Sequence, residues 1–332
     1  MHNGEDYELF DWVDDGKKHP HHRHHCPRRF VPVNAKVVVT IPRGHLKLGS
    51  FSSVFPGLVQ NINGAFDNVV FKRLFIVGAT SGLHNVKADH ASISAGTHPI
   101  KGSFLVKDHL DIVTAKAPIE VDVTLLSNTT ARRPTRLSLV NFNGSIHADV
   151  KLVAVDVDSI AKAKSNGFFA IHAITMNAPV DVKVISLPTD ARLNLRAGNR
   201  FAPIFASVPP SYEGKFALIT TKGQSIVKID KDSQDPEDGG RKRQFNVRSI
   251  TGGIVVGNVE WVESKKDAVT VEAKVGEEIE SDWMEGKGCH DECNALAEEA
   301  CDCLFGSEEV GARARSKIDL VSTDTDVELN LN

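Results

Sequence analysis

The chain has 332 residues, a formal net charge of −4 and a pI near 6.4. That balance excludes a basic field for tracking nucleic acid or anionic lipid. Nowhere do 18 consecutive apolar residues occur, so no membrane span is expected.

Residues 1–29 are acidic and then histidine-rich, and read as a disordered tail. No apolar h-region opens the chain, which implies a soluble, cytoplasmic protein, or a cell-surface one if an anchor precedes this sequence. HPHHRHHC (His19 to Cys26) gathers imidazoles and a thiol that would bind zinc, nickel or copper. FVPVNAKVVVTIP (Phe30 to Pro42) is the first strand signal and opens a β-repeat domain over 30–281. Residues 49–68, rich in Ser, Gly and Asn, read as a loop or irregular lead-in. LFIVGATSGL (Leu74 to Leu83) reads as an irregular first rung, and regular rungs run to Ile229.

Within that stretch one template recurs. In LDIVTAKAPIEVDV (Leu110 to Val123) apolar residues hold places 1, 3, 10, 12 and 14, with polar residues between. The same places fit the segments beginning at Ala91, Leu137, Ile171, Phe216 and Ile318, and the only residues there other than Val, Ile, Leu or Phe are Ala91, Gly102, Ala148, Ala173 and Ser225. Period-2 alternation puts one set of side chains on one strand face. The phase flips between places 3 and 10, so a corner re-aims the chain between two short strands. Pro99, Pro118 and Pro179 at place 9 suit such a corner, because proline has a locked φ and no N–H. One unit cannot bury its apolar row alone, whereas stacked units can. The fold class is therefore all-β, a stacked short-strand repeat of β-solenoid or β-helix type, with a β-sandwich as the alternative. A looser copy starts at Leu193 and reaches Ile204 through a corner two residues longer.

Asp230 to Gln244 is charged, with Pro and Gly-Gly, and reads as a solvated loop. Strands resume in FNVRSITGGIVVGNVEWV and DAVTVEAKV. Residues 282–315 break the pattern as an insertion, with a helix expected over Asn294 to Phe305. The template returns over 316–332 as the last rung, where Asp319, Asp324, Asp326 and Glu328 would guard an open edge.

The corners TAKAPIEV (Thr114 to Val121), NFNGSIHA (Asn141 to Ala148), TMNAPVDV (Thr175 to Val182), TTKGQSIV (Thr220 to Val227) and STDTDVEL (Ser322 to Leu329) carry a resemblance. They resemble the T-S-N-[GA]-P-[IV] corners of an uncharacterised fungal family of adhesin-like, β-solenoid proteins of unknown function. The resemblance covers about residues 51–279 and 316–332. It implies a non-enzymatic surface or scaffold role, with no catalytic residues to carry over and, in many relatives, a hydrophobic anchor before the repeats.

In a stack, equal places on neighbouring rungs lie about 4.8 Å apart, so a site can assemble without a local motif. Place 11 supplies Glu120, His147 and Asp181, and place 13 supplies Asp122 and Asp149 beside Lys183. Two carboxylate columns around one histidine suit a cation or an acid–base pair. Cys289, Cys293, Cys301 and Cys303, beside His290, could close a tetrahedral zinc site, form disulfides or remain free. No nucleophile elbow, phosphate-binding glycine loop or HExxH occurs. The expected function is a non-catalytic scaffold that needs no cofactor and presents strand faces to a protein or a cell-wall polymer. The alternatives are a polysaccharide hydrolase or lyase using those carboxylates, and metal handling through the His-rich tail and the cysteines.

Overall fold

The structure, a computed structural model, describes residues 46–61, 69–81, 83–128, 133–155, 167–250, 253–263 and 316–332. The tail, the strand signals at Phe30 and Asp267, the expected helix and the four clustered cysteines lie outside the described residues. Every regular element described is a strand: β1 (Leu46–Asn61), β2 (Val69–Ser81), β3 (Leu83–Ala95), β4 (Ile100–Thr114), β5 (Ile119–Asn128) and β6 (Thr135–Asn141) come first. Next are β7 (Ile146–Val155), β8 (Phe168–Ile174), β9 (Val180–Ser186), β10 (Arg192–Asn199), β11 (Ile204–Val208) and β12 (Gly214–Thr220). The chain finishes with β13 (Ser225–Ile229), β14 (Lys242–Ile250), β15 (Ile254–Val262), β16 (Ser316–Ser322) and β17 (Val327–Leu331).

Apart from β14 and β15, an antiparallel hairpin that pairs antiparallel with β12 through β15, the strands build two parallel ladders, as the alternation requires. Places 1 to 5 form the first ladder, in which β4, β6, β8, β10, β16 and β12 follow one another. Places 10 to 14 form the second, through β4, β5, β7, β9, β11, β17 and β13. The long strand β4 serves both: Ile100–Val106 pairs with β5, and His109–Thr114 with β6. Place 1 runs in strict register through Leu110, Leu137, Ile171, Leu195, Ile318 and Phe216, all fully buried. Place 10 runs through Ile100, Ile119, Ile146, Val180, Ile204 and Val327, equally buried. Each such side chain contributes about 1.5–3 kcal/mol by leaving water, so these rows are the core.

Three sequence expectations are corrected. Residues 49–61 are not a loop: they lie in β1, which pairs in parallel with β2 from Leu46↔Val69 to Asn61↔Ser81, with a register shift between Val54 and Val59. Backbone pairing to β2 outweighs the weak strand preference of Gly49 and its serines. The copy assigned to Leu193 has no enlarged corner, because Leu195 rather than Leu193 pairs with Ile171 and so holds place 1. Counted from Leu195, Ile204 falls on place 10 like its counterparts. The rung that comes last in sequence is also not an edge: β16 lies between β10 and β12, and β17 between β11 and β13.

The corners are held by a buried polar ladder at place 5: Thr114, Asn141, Thr175, Asn199, Ser322 and Thr220 are nearly inaccessible. Thr114 Oγ1 donates to the Ala117 carbonyl at 2.7 Å, and Asn141 Nδ2 donates to the same carbonyl at 2.7 Å from the next rung. Asn141 Oδ1 accepts from Gly144 N at 2.9 Å, and Thr175 Oγ1 donates to the Gly144 carbonyl at 3.2 Å. Thr220 Oγ1 accepts from Gly223 N and donates to the Thr325 carbonyl at 2.8 Å. The leading Thr, Asn or Ser of each corner thus satisfies backbone groups that the turn removes from the ladders. Gly144 is needed because a Cβ there would meet the Ala117 carbonyl oxygen at 2.3 Å. At place 9 the prolines give up no bond, since only their carbonyls are used: Ile100 N donates to Pro118 O, and Ile146 N to Pro179 O.

Candidate functional site

The carboxylate columns form as register neighbours: Glu120 pairs with His147 and His147 with Asp181, while Asp122 pairs with Asp149 and Asp149 with Lys183. All project outward from the second ladder. Lys101 Nζ lies 2.6 Å from Glu120, and His147 Nδ1 lies 3.0 Å from Asp181. His147 is 55% exposed and Asp181 48%, so the pairs sit in water, where each is worth about 0–1 kcal/mol. These residues are brought together on an open strand face, and none of them lines the cleft described next.

That cleft, about 1150 Å³, opens at the strand ends opposite the corners. Sequence reasoning missed it. Its walls include His90, Lys107, Asp108, His109, Arg133 and Arg136. They are placed by the turn between ladders in β4 and by the entry to β6, where Thr135 Oγ1 donates to the carbonyls of Lys107 (2.8 Å) and Leu126 (3.0 Å). His109 Nε2 lies 2.5 Å from Asp111 Oδ2, and His90 Nε2 lies 3.3 Å from Asp108 Oδ2. Lys107 is only loosely paired with Asp89, at 4.0 Å. Among the described residues, Arg133 and Arg136 make no ion pair. Three of these side chains share a column with Arg73: Arg73, His90, His109 and Arg136 are successive register partners just before place 1. Extending the alignment of copies by one residue would have exposed it. Chemically the wall offers two guanidiniums, an ammonium and two imidazoles oriented by carboxylates, a donor set suited to anionic oxygens.

A second polar cluster organises the loop read as merely solvated. Arg241 binds Asp235 bidentately, with Nη2–Oδ1 at 2.7 Å and Nε–Oδ2 at 3.1 Å, and also reaches Glu237 at 3.1 Å. Hydrogen bonding from Arg241 holds the Asp235 carboxyl well below the usual carboxylate range. Arg241 and Arg243 both lie over Trp261, at 5.9 and 5.8 Å, and Arg243 also lies over Phe245 at 5.2 Å. Burial lowers the Arg243 guanidinium to about 10. Trp261 Nε1 donates to the Pro210 carbonyl, which ties this cluster to the β11–β12 connection.

Among the described residues no group of three or more His, Cys, Asp or Glu is placed to hold a metal ion, and no helix is long and apolar enough to cross a membrane. Two in-register ladders, polar corners and outward columns define a stacked β-arch repeat protein. The chain belongs to the family described as Domain of unknown function (DUF7330), whose model matches residues 89–278, more than half of the sequence. That span opens at the His90 rung and runs past β15. No curated protein and no solved structure matches the chain.

Proposed function

We propose that the chain is a non-catalytic, adhesin-like scaffold that holds an acidic polymer, such as a carboxylated or phosphorylated wall polysaccharide, along the first ladder. The observation that carries this reading is the Arg73, His90, His109, Arg136 column, one side chain per rung, running into the cleft beside Lys107 and Arg133. A repeating anion meets an arginine or a histidine on every rung at fixed spacing there, and the two wall arginines make no ion pair among the described residues. The resemblance of the corners to those of fungal adhesin-like proteins supports a surface role. The open carboxylate columns on the other ladder repel such a polymer and so orient it.

The test is retention on polygalacturonate against a neutral glucan, for the full chain and for an Arg133→Gln/Arg136→Gln variant. Expected is selective, salt-sensitive retention on the acidic polymer, weakened at least tenfold in the variant, with no new reducing ends or unsaturated products. Equal retention of both polymers, or a variant that binds like the parent, overturns the reading. Chain cleavage overturns its non-catalytic half.

A further inference from the structure

We infer that the rung β16–β17 is an exchangeable insert, which a second copy of this chain can donate into the slot between rungs β10–β11 and β12–β13. Such exchange rests on the fold and is independent of the polymer reading.

The slot has walls on both sides. β16 pairs with β10 from Asn194↔Lys317 to Asn199↔Ser322, and with β12 from Gly214↔Ser316 to Thr220↔Ser322. β17 pairs with β11 from Ile204↔Val327 to Val208↔Leu331, and with β13 from Ser225↔Val327 to Ile229↔Leu331. Among the described strands, β10 does not pair with β12, nor β11 with β13. The corner of the insert is gripped from both sides: Asp324 N donates to Arg200 O, while Thr221 N and Lys222 N donate to Thr323 O. Ile204 N donates to Asp326 O, and Val327 N donates to Gln224 O. Lys222–Asp324 and Lys228–Glu328, at 2.8 and 2.7 Å, add charge from the β12–β13 side. Of the acidic residues expected to guard an edge, Asp324, Asp326 and Glu328 instead bind a neighbouring rung, and Asp319 pairs with Lys317 of its own strand.

The walls are joined without the insert. Residues 209–213 carry the chain from β11 across two rung spacings to β12. Ser211 Oγ donates to Leu187 O at 2.6 Å, Tyr212 OH to Lys215 O at 2.6 Å, and Trp261 Nε1 to Pro210 O at 3.0 Å. The gap thus belongs to one continuous stretch, 192–229, inside the span that the family model matches. The residues that fill it lie outside that span and arrive from β15 through residues 264–315. An unfilled slot leaves two strand edges facing each other across one missing rung, and its apolar rows at Leu195 and Phe216 lose Ile318. Among the described strands, the segment Ser316–Asn332 is the one that satisfies both edges, and every copy carries it in its own chain. At high protein concentration the donor from a neighbour competes with the chain's own segment. Reciprocal donation closes a dimer, and one-way donation extends a chain of copies.

The experiment uses full-length chains bearing two different tags, unfolded together, refolded at high concentration and fractionated by size. Each carries Gly198→Cys and Val321→Cys, a register pair across β10 and β16. A Cβ at Gly198 meets only Ile174 Cγ1 at 3.6 Å, so the cysteine is tolerated. Expected is a dimer fraction holding both tags. Oxidation should lock it through a disulfide joining the two substituted positions, identified by peptide mapping, between copies in the dimer and within one copy in the monomer; either substitution alone cannot give that bond. Excess peptide Ser316–Asn332 present during refolding should abolish the mixed dimer, and the same peptide with Leu329→Asp should not. The inference is overturned if the tags never co-purify. It is also overturned if the bond in the dimer is always within one copy, or if the peptide leaves the dimer unchanged.

Discussion

The stretch from β4 to β9 and the rungs β10–β11, β16–β17 and β12–β13 obey the same register but not the same chain order. In the first, each rung stacks on the one before it, and the polar corner residues Asn141 and Thr175 each bond back to the corner of the preceding rung. In the second, a rung from far along the chain sits between two consecutive ones, yet its Ile318, Leu320, Val327, Leu329 and Leu331 are as buried as any earlier apolar row. Stacking is therefore decided by what each face presents, with connectivity secondary.

Matched core truncations should break this comparison most strongly. Leu137→Ala and Ile318→Ala each remove a fully buried place-1 side chain and should cost about 2–5 kcal/mol. Hydrogen exchange separates them: Ile318→Ala should release protection in β12–β15 first, whereas Leu137→Ala lowers it across β4–β9. Uniform loss in both variants would mean that the insert is not a distinct joint.

Asn141→Ala should follow, at about 1–3 kcal/mol, because it strands the Gly144 N–H in a buried corner. Chemical denaturation measures it; a cost below about 0.5 kcal/mol would show that the polar ladder is dispensable.

Tyr212→Phe should cost less, about 0.5–1.5 kcal/mol, by deleting the bond to Lys215 O. Burial raises the Tyr212 phenol well above its ordinary value, with the Asp319 charge adding to the rise. The folded protein therefore holds the neutral phenol while the unfolded chain ionises first, so stability is intact below about pH 10 and falls as pH climbs above it. The variant should lose that part of the alkaline decline in pH-dependent melting. An unchanged alkaline limb would contradict it.

At the acid end, Asp235 has the opposite sign. Its depressed carboxyl stabilises the fold above the ordinary carboxylate range and loses that contribution as pH falls through its folded value. Asp235→Asn should shift acid melting of the β14–β15 hairpin toward higher pH at little cost to the rest. Smallest of all is Asp149→Asn, on the open face, expected within about 0.5 kcal/mol of the parent.

Period, corner and core were readable because Val, Ile, Leu and Phe mark places 1, 3, 10, 12 and 14 so consistently. The copy at Leu195 was misphased because Ala197 at place 3 is a weak apolar marker and Leu193, also buried, offered a rival start. β1 was unreadable because its partner, rather than its composition, makes it a strand. The interleaving could not be read at all: place 1 of any rung fits place 1 of any other, so alternation specifies a stack without its order. The carboxylate columns followed from alignment alone, while the cleft needed the turn inside β4, which no periodicity announces.

The inserted rung also sets a schedule for synthesis. Leu193 N donates to Ser316 Oγ across 123 residues of chain. At about 5–20 residues per second, β10 has left the ribosome on the order of ten seconds before its partner exists. Over that interval the nascent chain carries a completed stack on one side and two unmatched edges on the other. Closing them is a late, long-range step, and such steps are the slow ones in folding. Yield during expression should therefore respond to crowding among nascent chains more than to the stability of the finished protein.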